Sequence, residues 1–173
     1  PSAGCPTVES ECVAFVDNAG QTTFTMRITG LDVEKPLALT DPTVTNLLNT
    51  GILYDYTSCT SPDGLALFTG DGTFNWILEF DAAAGTLRTG GAPIETDPNR
   101  GYCFLSGNIA GFDVSPLETP ITIGSDGVFA ADETRDVAVP IFTDVNDPSK
   151  VIILPLRSVR IFDAQISADN NCI

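Results

Sequence analysis

The feature that most constrains this chain is an alternation of apolar and polar residues with a period of two. Two runs carry apolar side chains at every second position: Phe24, Met26 and Ile28 in the first, and Phe74, Trp76, Leu78 and Phe80 in the second. Successive side chains of a β-strand point to opposite faces, so each run predicts a strand with one buried face. Ile77 interrupts the second run. We interpret its aromatic stripe as core; the alternative is a platform on which sugar rings stack.

Turn-forming residues separate the apolar runs at short and regular intervals. Three examples are Asn18-Ala19-Gly20, Asp71-Gly72 and Ser125-Asp126-Gly127. Glycine permits a positive φ, and Asn or Asp tolerates one, which suits tight turns between antiparallel strands. The pattern predicts an all-β fold, a mostly antiparallel β-sandwich of the Greek-key or jelly-roll kind.

At most one short helix is predicted, near residues 42–49. Asp41 suits the N-cap, Pro42 the first helical position, and Gly51 the position that follows the last turn. The threonines at 43 and 45 would also suit a strand.

The length of the chain fits one domain. Its 173 residues, 43% of them hydrophobic, are enough to form a core and argue against disorder. No linker-like stretch divides the sequence. We therefore assign 1–11 to an N-terminal extension and 12–173 to a single β-sandwich domain.

The chain contains no histidine, and this excludes several kinds of site. Hydrolases that use a Ser-His-Asp or Cys-His arrangement would lack their general base. Zinc, iron or copper sites with imidazole ligands are excluded for the same reason. The sequence also lacks the glycine-rich loops that bind nucleotide phosphates.

The charge of the chain is strongly negative. There are 23 acidic and 8 basic residues, a formal net charge of −15. A nucleic-acid partner requires clustered cations that displace counterions from phosphate, so nucleic acid is excluded as a partner. The acidity is interpreted as a source of solubility, with cation binding as the alternative.

Calcium is the cofactor that the sequence allows best. Ca²⁺ takes oxygen ligands from carboxylates, amides and carbonyls, and needs no histidine. Asp144, Asn146 and Asp147 offer three such side chains within one turn, and we predict them as the candidate calcium ligands.

Five cysteines indicate disulfides and export. They are Cys5, Cys12, Cys59, Cys103 and Cys172. Without a Cys-x-x-Cys pair or histidine, disulfides in an oxidising compartment are the better interpretation. We predict a Cys59–Cys103 bridge between two strands, with Cys5 and Cys12 holding the N-terminal stretch. The fifth cysteine would be buried, or would bridge to another chain or to a segment outside this one.

We expect the protein to be exported, and secreted or displayed at the cell surface. No apolar run approaches the 18 residues that a membrane-spanning helix needs. No Asn-x-Ser/Thr acceptor site occurs, which favours a bacterial exported protein over a eukaryotic glycoprotein.

The longest predicted loop is 90–101. Long ordered loops often carry binding residues, so Asp97, Asn99 and Arg100 are candidate binding residues. The alternative is a plain surface crossover between two sheets.

These features predict a non-catalytic extracellular or cell-surface module for adhesion, for recognition of a partner or polymer, or for surface assembly. Its partner would be a protein, a polysaccharide or a second copy of the chain, joined by strand addition or by an intermolecular disulfide. One alternative is a carboxylate-based glycoside hydrolase that uses Glu79 and Asp81, two positions apart on one strand face. Another is a calcium-dependent carbohydrate-binding domain.

Overall fold

The computed structural model describes residues 12–13, 17–28, 41–43, 74–94, 102–144, 146–170 and 173. Nearly all of the regular secondary structure in this part of the chain is β-strand, and the sheets are antiparallel, as the alternation predicts. In chain order its strands are β1 (Cys12–Val13), β2 (Thr23–Arg27), β3 (Asn75–Asp81), β4 (Thr86–Ala92), β5 (Tyr102–Cys103), β6 (Gly107–Ile109), β7 (Phe112–Val114), β8 (Leu117–Pro120), β9 (Thr122–Ile123), β10 (Val128–Phe142) and β11 (Val151–Gln165).

The described strands form four sheets. The largest has the order β2-β3-β4-β8, and a three-stranded sheet has the order β11-β10-β9. Two short pairs, β1-β5 and β6-β7, complete the set. In the largest sheet three successive strands form a meander, to which β8 is added beside β4.

A single core cluster is shared by the two larger sheets. Phe80 of β3 stacks on Phe24 of β2 at 4.9 Å between ring centroids, and meets Phe129 of β10 edge-on at 5.3 Å. The buried members of the cluster are Phe24, Met26, Phe80, Leu87, Ile121, Phe129, Ala131 and Ile166. A core built from two sheets is what the predicted sandwich requires. The Greek-key or jelly-roll connection stays a prediction.

The other face of the four-stranded sheet is also covered at one end. Ile77, Ala92, Tyr102 and Phe104 form a second buried cluster there. Ile77 therefore breaks the alternation of β3 because this part of the strand is buried on both faces. The interpretation as core is confirmed for Phe24 and Phe80, whereas Phe74, Trp76 and Leu78 of the same stripe are only partly buried.

The prediction that a loop begins at residue 90 is wrong. β4 continues through Gly90 and Gly91 to Ala92, paired with β3 along this length. These glycines are needed for space rather than for a turn. A Cβ on Gly91 would lie 2.6 Å from the Cγ atom of Pro140, so the absence of a side chain lets β10 approach the sheet.

The predicted helix falls mostly outside the described residues. Pro42 and Thr43 have helical backbone, and the Asp41 carboxylate accepts a hydrogen bond from the Thr43 amide at 2.8 Å, as an N-cap does. The N-terminal extension, 1–11, also lies outside. In the part of the chain that the structure describes, no helix is long and apolar enough to cross a membrane.

A buried asparagine joins the N-terminal turn to the end of the chain. Asn18 is 4% exposed, and its Nδ2 group donates to the carbonyls of Thr25 and Asn170, both at 2.9 Å. Its Oδ1 atom accepts from the Thr25 amide at 3.4 Å. Asn18 therefore satisfies backbone groups on the side of β2 that pairs with none of the described strands, and it holds the turn that follows β11.

We predict that Asn18→Ala lowers the free energy of unfolding by about 1–3 kcal/mol, because buried carbonyls lose their donor. Urea unfolding at neutral pH measures this. Asn108→Ala is the matched control, since Asn108 is exposed and its side-chain amide donates to the exposed Asp113 carboxylate at 3.0 Å. It should change stability by about 0.5 kcal/mol or less. Equal losses of stability in both variants would contradict a stabilising role of the buried Asn18 side chain.

Candidate functional site

The sequence-predicted binding residues of the long loop are not placed. Asp97, Asn99 and Arg100 lie outside the described residues. Their role in binding stays a prediction.

The predicted calcium ligands lie in the turn between β10 and β11. The Thr143 amide donates to the Lys150 carbonyl at 2.8 Å and closes the hairpin. Inside it, the amides of Asp147 and Lys150 donate to the carbonyls of Asp144 and Asp147, at 3.2 and 3.1 Å. The turn therefore brings two of the predicted ligands, Asp144 and Asp147, together.

An ammonium group lies where the sequence suggested a metal ion. The Lys150 Nζ atom is 2.7 Å from Asp144 Oδ2 and 3.7 Å from Asp147 Oδ2. The second oxygens accept from the Asn146 and Ser149 amides, at 3.0 and 3.1 Å. Calcium would have to displace Lys150 here. Among the described side chains, no group of three or more Cys, Asp or Glu is arranged to hold a metal.

The ion pair changes the acidity of both partners. The hydrogen bond from Lys150, together with that from the Asn146 amide, holds the pKa of Asp144 below its ordinary 3.8. The same contact raises the pKa of Lys150 above its ordinary 10.5. The turn carries a charged pair that stays ionised across the neutral range.

The two carboxylates of the hydrolase alternative are already engaged. Glu79 Oε2 accepts from Arg88 Nε at 2.6 Å across the β3–β4 pair, and the Arg88 guanidinium lies over the Phe104 ring at 4.5 Å. Asp81 Oδ1 accepts from the amides of Ala83 and Ala84, at 3.0 and 2.8 Å, and so caps the turn after β3. Both side chains hold the sheet together.

A cleft lies where the turns after β3, β9 and β11 meet. Its volume is about 1100 Å³, and Phe24, Ile121 and Ile166 contribute apolar walls. Among the described residues that line it, Asp126 is the only acidic one. Its Oδ1 atom accepts from the Val128 amide at 3.1 Å and so shapes the turn. One carboxylate does not supply the acid and base pair of a glycosidase.

One cysteine has a described side chain. Cys103 is buried, and its sulfur takes part in a disulfide. The β1–β5 pairing places the backbone of Cys12 opposite Cys103. The side chains of the other cysteines, Cys5, Cys12, Cys59 and Cys172, are outside the description, and Cys59–Cys103 stays a prediction.

The most unusual surface is one face of the β10–β11 hairpin. Ile152, Leu154 and Leu156 alternate along β11 and are 58%, 45% and 39% exposed. They pair with Ile141, Val139 and Val137 of β10, so six apolar side chains share one face. We call Ile152, Leu154 and Leu156 the β11 row.

Sequence reasoning missed the β11 row. The run Val151-Ile152-Ile153-Leu154 is visible, but it suggests a strand buried on both faces. The available signal was Pro155, which is confined to sheet edges or bulges and indicates an edge strand with one face towards solvent.

Comparison of the chain with models of known families, with curated proteins and with solved structures finds no match. Its function is therefore argued from its own geometry.

We predict that Asp144→Asn lowers the melting temperature slightly at pH 7. Because the folded-state pKa of Asp144 lies below 3.8, its stabilising effect is present above that value and lost as the pH falls through the folded-state pKa. The difference between wild type and variant should therefore vanish at the acid end of a thermal-unfolding series from about pH 2 to 7.

Lys150→Met provides the control for this prediction. In that background, Asp144→Asn should produce little further change at pH 7, because the carboxylate has lost its cation. An undiminished effect would show that Lys150 is not the partner that matters.

Proposed function

We propose that this chain is a non-catalytic interaction module of an exported protein, acting at the cell surface or outside the cell. It binds another protein molecule through the exposed face of the β10–β11 hairpin. The observation that carries the proposal is the β11 row, three large aliphatic side chains exposed side by side on an edge strand.

A contiguous apolar surface is unusual on a protein, whereas single exposed apolar residues are common. Isolated apolar side chains are common on protein surfaces, whereas rows of them indicate contact sites. The β11 row lies beside the buried side chains of Val137 and Val139 on the same face of the hairpin, so the apolar surface is continuous with the interior. A contiguous apolar strip of this kind suits association with another protein.

The chemistry of the β11 row favours protein over polysaccharide. Its members are aliphatic, and an aliphatic surface leaves sugar hydroxyls without hydrogen-bond partners. The alternating aromatic stripe that could have stacked sugars is not available in full, because Phe80 is buried in the shared core.

The carboxylates support a non-catalytic role. Glu79 is bound by Arg88, Asp81 by turn amides, and Asp144 by Lys150. Each of these groups has a structural task that explains its position.

Two observations support export. The disulfide at Cys103 is stable in an oxidising compartment and rare in a reducing one. The net charge of −15 keeps a protein with an exposed apolar strip soluble.

We predict that the folded protein releases no new reducing ends from carboxymethyl cellulose, xylan or peptidoglycan above a buffer blank. Glu79→Gln, which keeps the shape but removes the charge that pairs with Arg88, should behave identically. Release by the wild type that disappears in Glu79→Gln would contradict the proposal and support the hydrolase.

We predict that the β11 row binds the neutral apolar dye Nile red in the native state. Leu154→Asp should reduce the dye fluorescence by at least about half, because it places a charge in the middle of the strip. The matched control is Phe112→Asp, since Phe112 is similarly exposed, at 42%, on the separate β6–β7 hairpin. Equal losses, or none in Leu154→Asp, would contradict a binding face on β11.

A further inference from the structure

Cys103 is a buried cysteine whose sulfur is already bonded. Its side chain is 1% exposed, and it takes part in a disulfide. One sulfur forms one disulfide, so its partner is a cysteine of another molecule or one of Cys5, Cys12, Cys59 and Cys172. Burial opposes a bond to another molecule, because thiol–disulfide exchange requires access to the sulfur. We therefore look for the partner within the chain.

The pairing of β1 with β5 places the backbone of Cys12 directly opposite Cys103. The two strands are antiparallel, with Cys12 aligned to Cys103 and Val13 aligned to Tyr102. Residues directly opposite in an antiparallel pair share one face, and their Cα atoms are about 4.5 or 5.5 Å apart, depending on the hydrogen bonding of the pair. Disulfides usually join Cα atoms about 4.4–6.8 Å apart. Either kind of pair therefore meets the distance that a bridge requires.

The neighbours of Cys103 and Cys172 lie at different ends of the four-stranded sheet. Ile173, next to Cys172, lines the cleft beside the turn after β3. Phe104, next to Cys103, is buried against Ile77, which precedes the end of β3 by four residues, or roughly 13 Å. That length alone is about twice the usual Cα separation of a disulfide. This arrangement favours Cys12 over Cys172 as the partner.

We propose that Cys12 and Cys103 form the disulfide, and that this bridge fastens β1 to β5. Two thiols become one S–S bond, and the two hydrogen atoms that they lose reduce an oxidant of the disulfide class, such as oxidised glutathione, to two thiols. The bridge competes with the Cys59–Cys103 bridge that the sequence suggested, because the sulfur of Cys103 serves only one of them.

The bridge gives β1 an attachment that its backbone pairing alone does not. β1 pairs with β5 over two residues, and a short isolated strand pair is marginally stable. The β5 side is firmly held, since Tyr102 and Phe104 are buried on either side of Cys103. The Leu105 amide also donates to the Gly91 carbonyl of β4 at 2.8 Å. A bond to Cys103 therefore ties β1 to the second buried cluster.

Peptide mapping of the unreduced full chain tests the pairing. Free thiols are first blocked with N-ethylmaleimide under mildly acidic denaturing conditions, so that disulfides do not exchange. Trypsin then cleaves after arginine, and this separates Cys59, Cys103 and Cys172 from one another and from the peptide that carries both Cys5 and Cys12. A protease that cleaves after glutamate separates those two at Glu9 and Glu11.

We expect mass spectrometry to find the peptide that contains Cys12 joined to the peptide that contains Cys103, and to find the two separate after reduction. The variant Cys59→Ala is the matched control and should keep this link. Recovery of Cys103 joined to Cys5, Cys59, Cys172 or another molecule overturns the proposal. Recovery of Cys103 as a blocked thiol overturns it as well.

A double-mutant cycle tests whether the two cysteines act as one unit. Cys12→Ala and Cys103→Ala should each lower the melting temperature by at least about 5 °C, because the bridge closes a loop between residues 91 positions apart. The double variant should lose no more than the larger of the two single losses, since both changes break the same bond. Additive losses, or an unchanged melting temperature in Cys12→Ala, overturn the proposal. If a variant does not fold, the mapping of the wild type decides.

Discussion

The contact of Phe80 with two other rings is the interaction on which the rest of the structure depends. Phe80 stacks on Phe24 within the four-stranded sheet and meets Phe129 of the three-stranded sheet edge-on. Aromatic side chains bury large areas, and the stacked and edge-on geometries add to that burial. Because Phe129 is the second residue of the long strand β10, fixing its position against Phe80 anchors one end of the β10–β11 hairpin. The far half of the hairpin is then located by Pro140, which lies over Gly91.

The strands and their main buried face follow from the sequence, because alternation is a local property. Phe24 and Met26, two positions apart, are buried together with Phe80, as predicted, whereas Phe74, Trp76 and Leu78 of the second run are only partly buried. What alternation does not show is a sheet that is covered on both sides. Ile77 therefore looked like an irregularity, and Gly91 looked like the start of a loop, although each is explained by a neighbour distant in sequence: Phe104 for one and Pro140 for the other.

The site was harder to predict, because charge and exposure depend on which residues meet. Asp144 and Asp147 do converge, as their spacing in one turn suggested, but Lys150 closes the same turn and supplies the positive charge. The β11 row was not predicted, because a run of consecutive apolar residues is typical of a buried strand. Only the order of the strands shows that this run lies at the edge of the described sheet. Among the described strands, β11 is the outermost of its sheet, and Leu154 on it is 45% exposed.

An apolar edge strand can associate in two ways, through its open backbone edge and through its apolar face, and Pro155 affects only the first. An open strand edge propagates, since each added strand presents a new edge to the next, and the result is a fibre. A contact between two identical faces is used up when two molecules have met, and it stops at a closed pair. Because Pro155 has no amide hydrogen, a strand added along this side of β11 would lack one hydrogen bond, and this opposes open-ended growth at that edge.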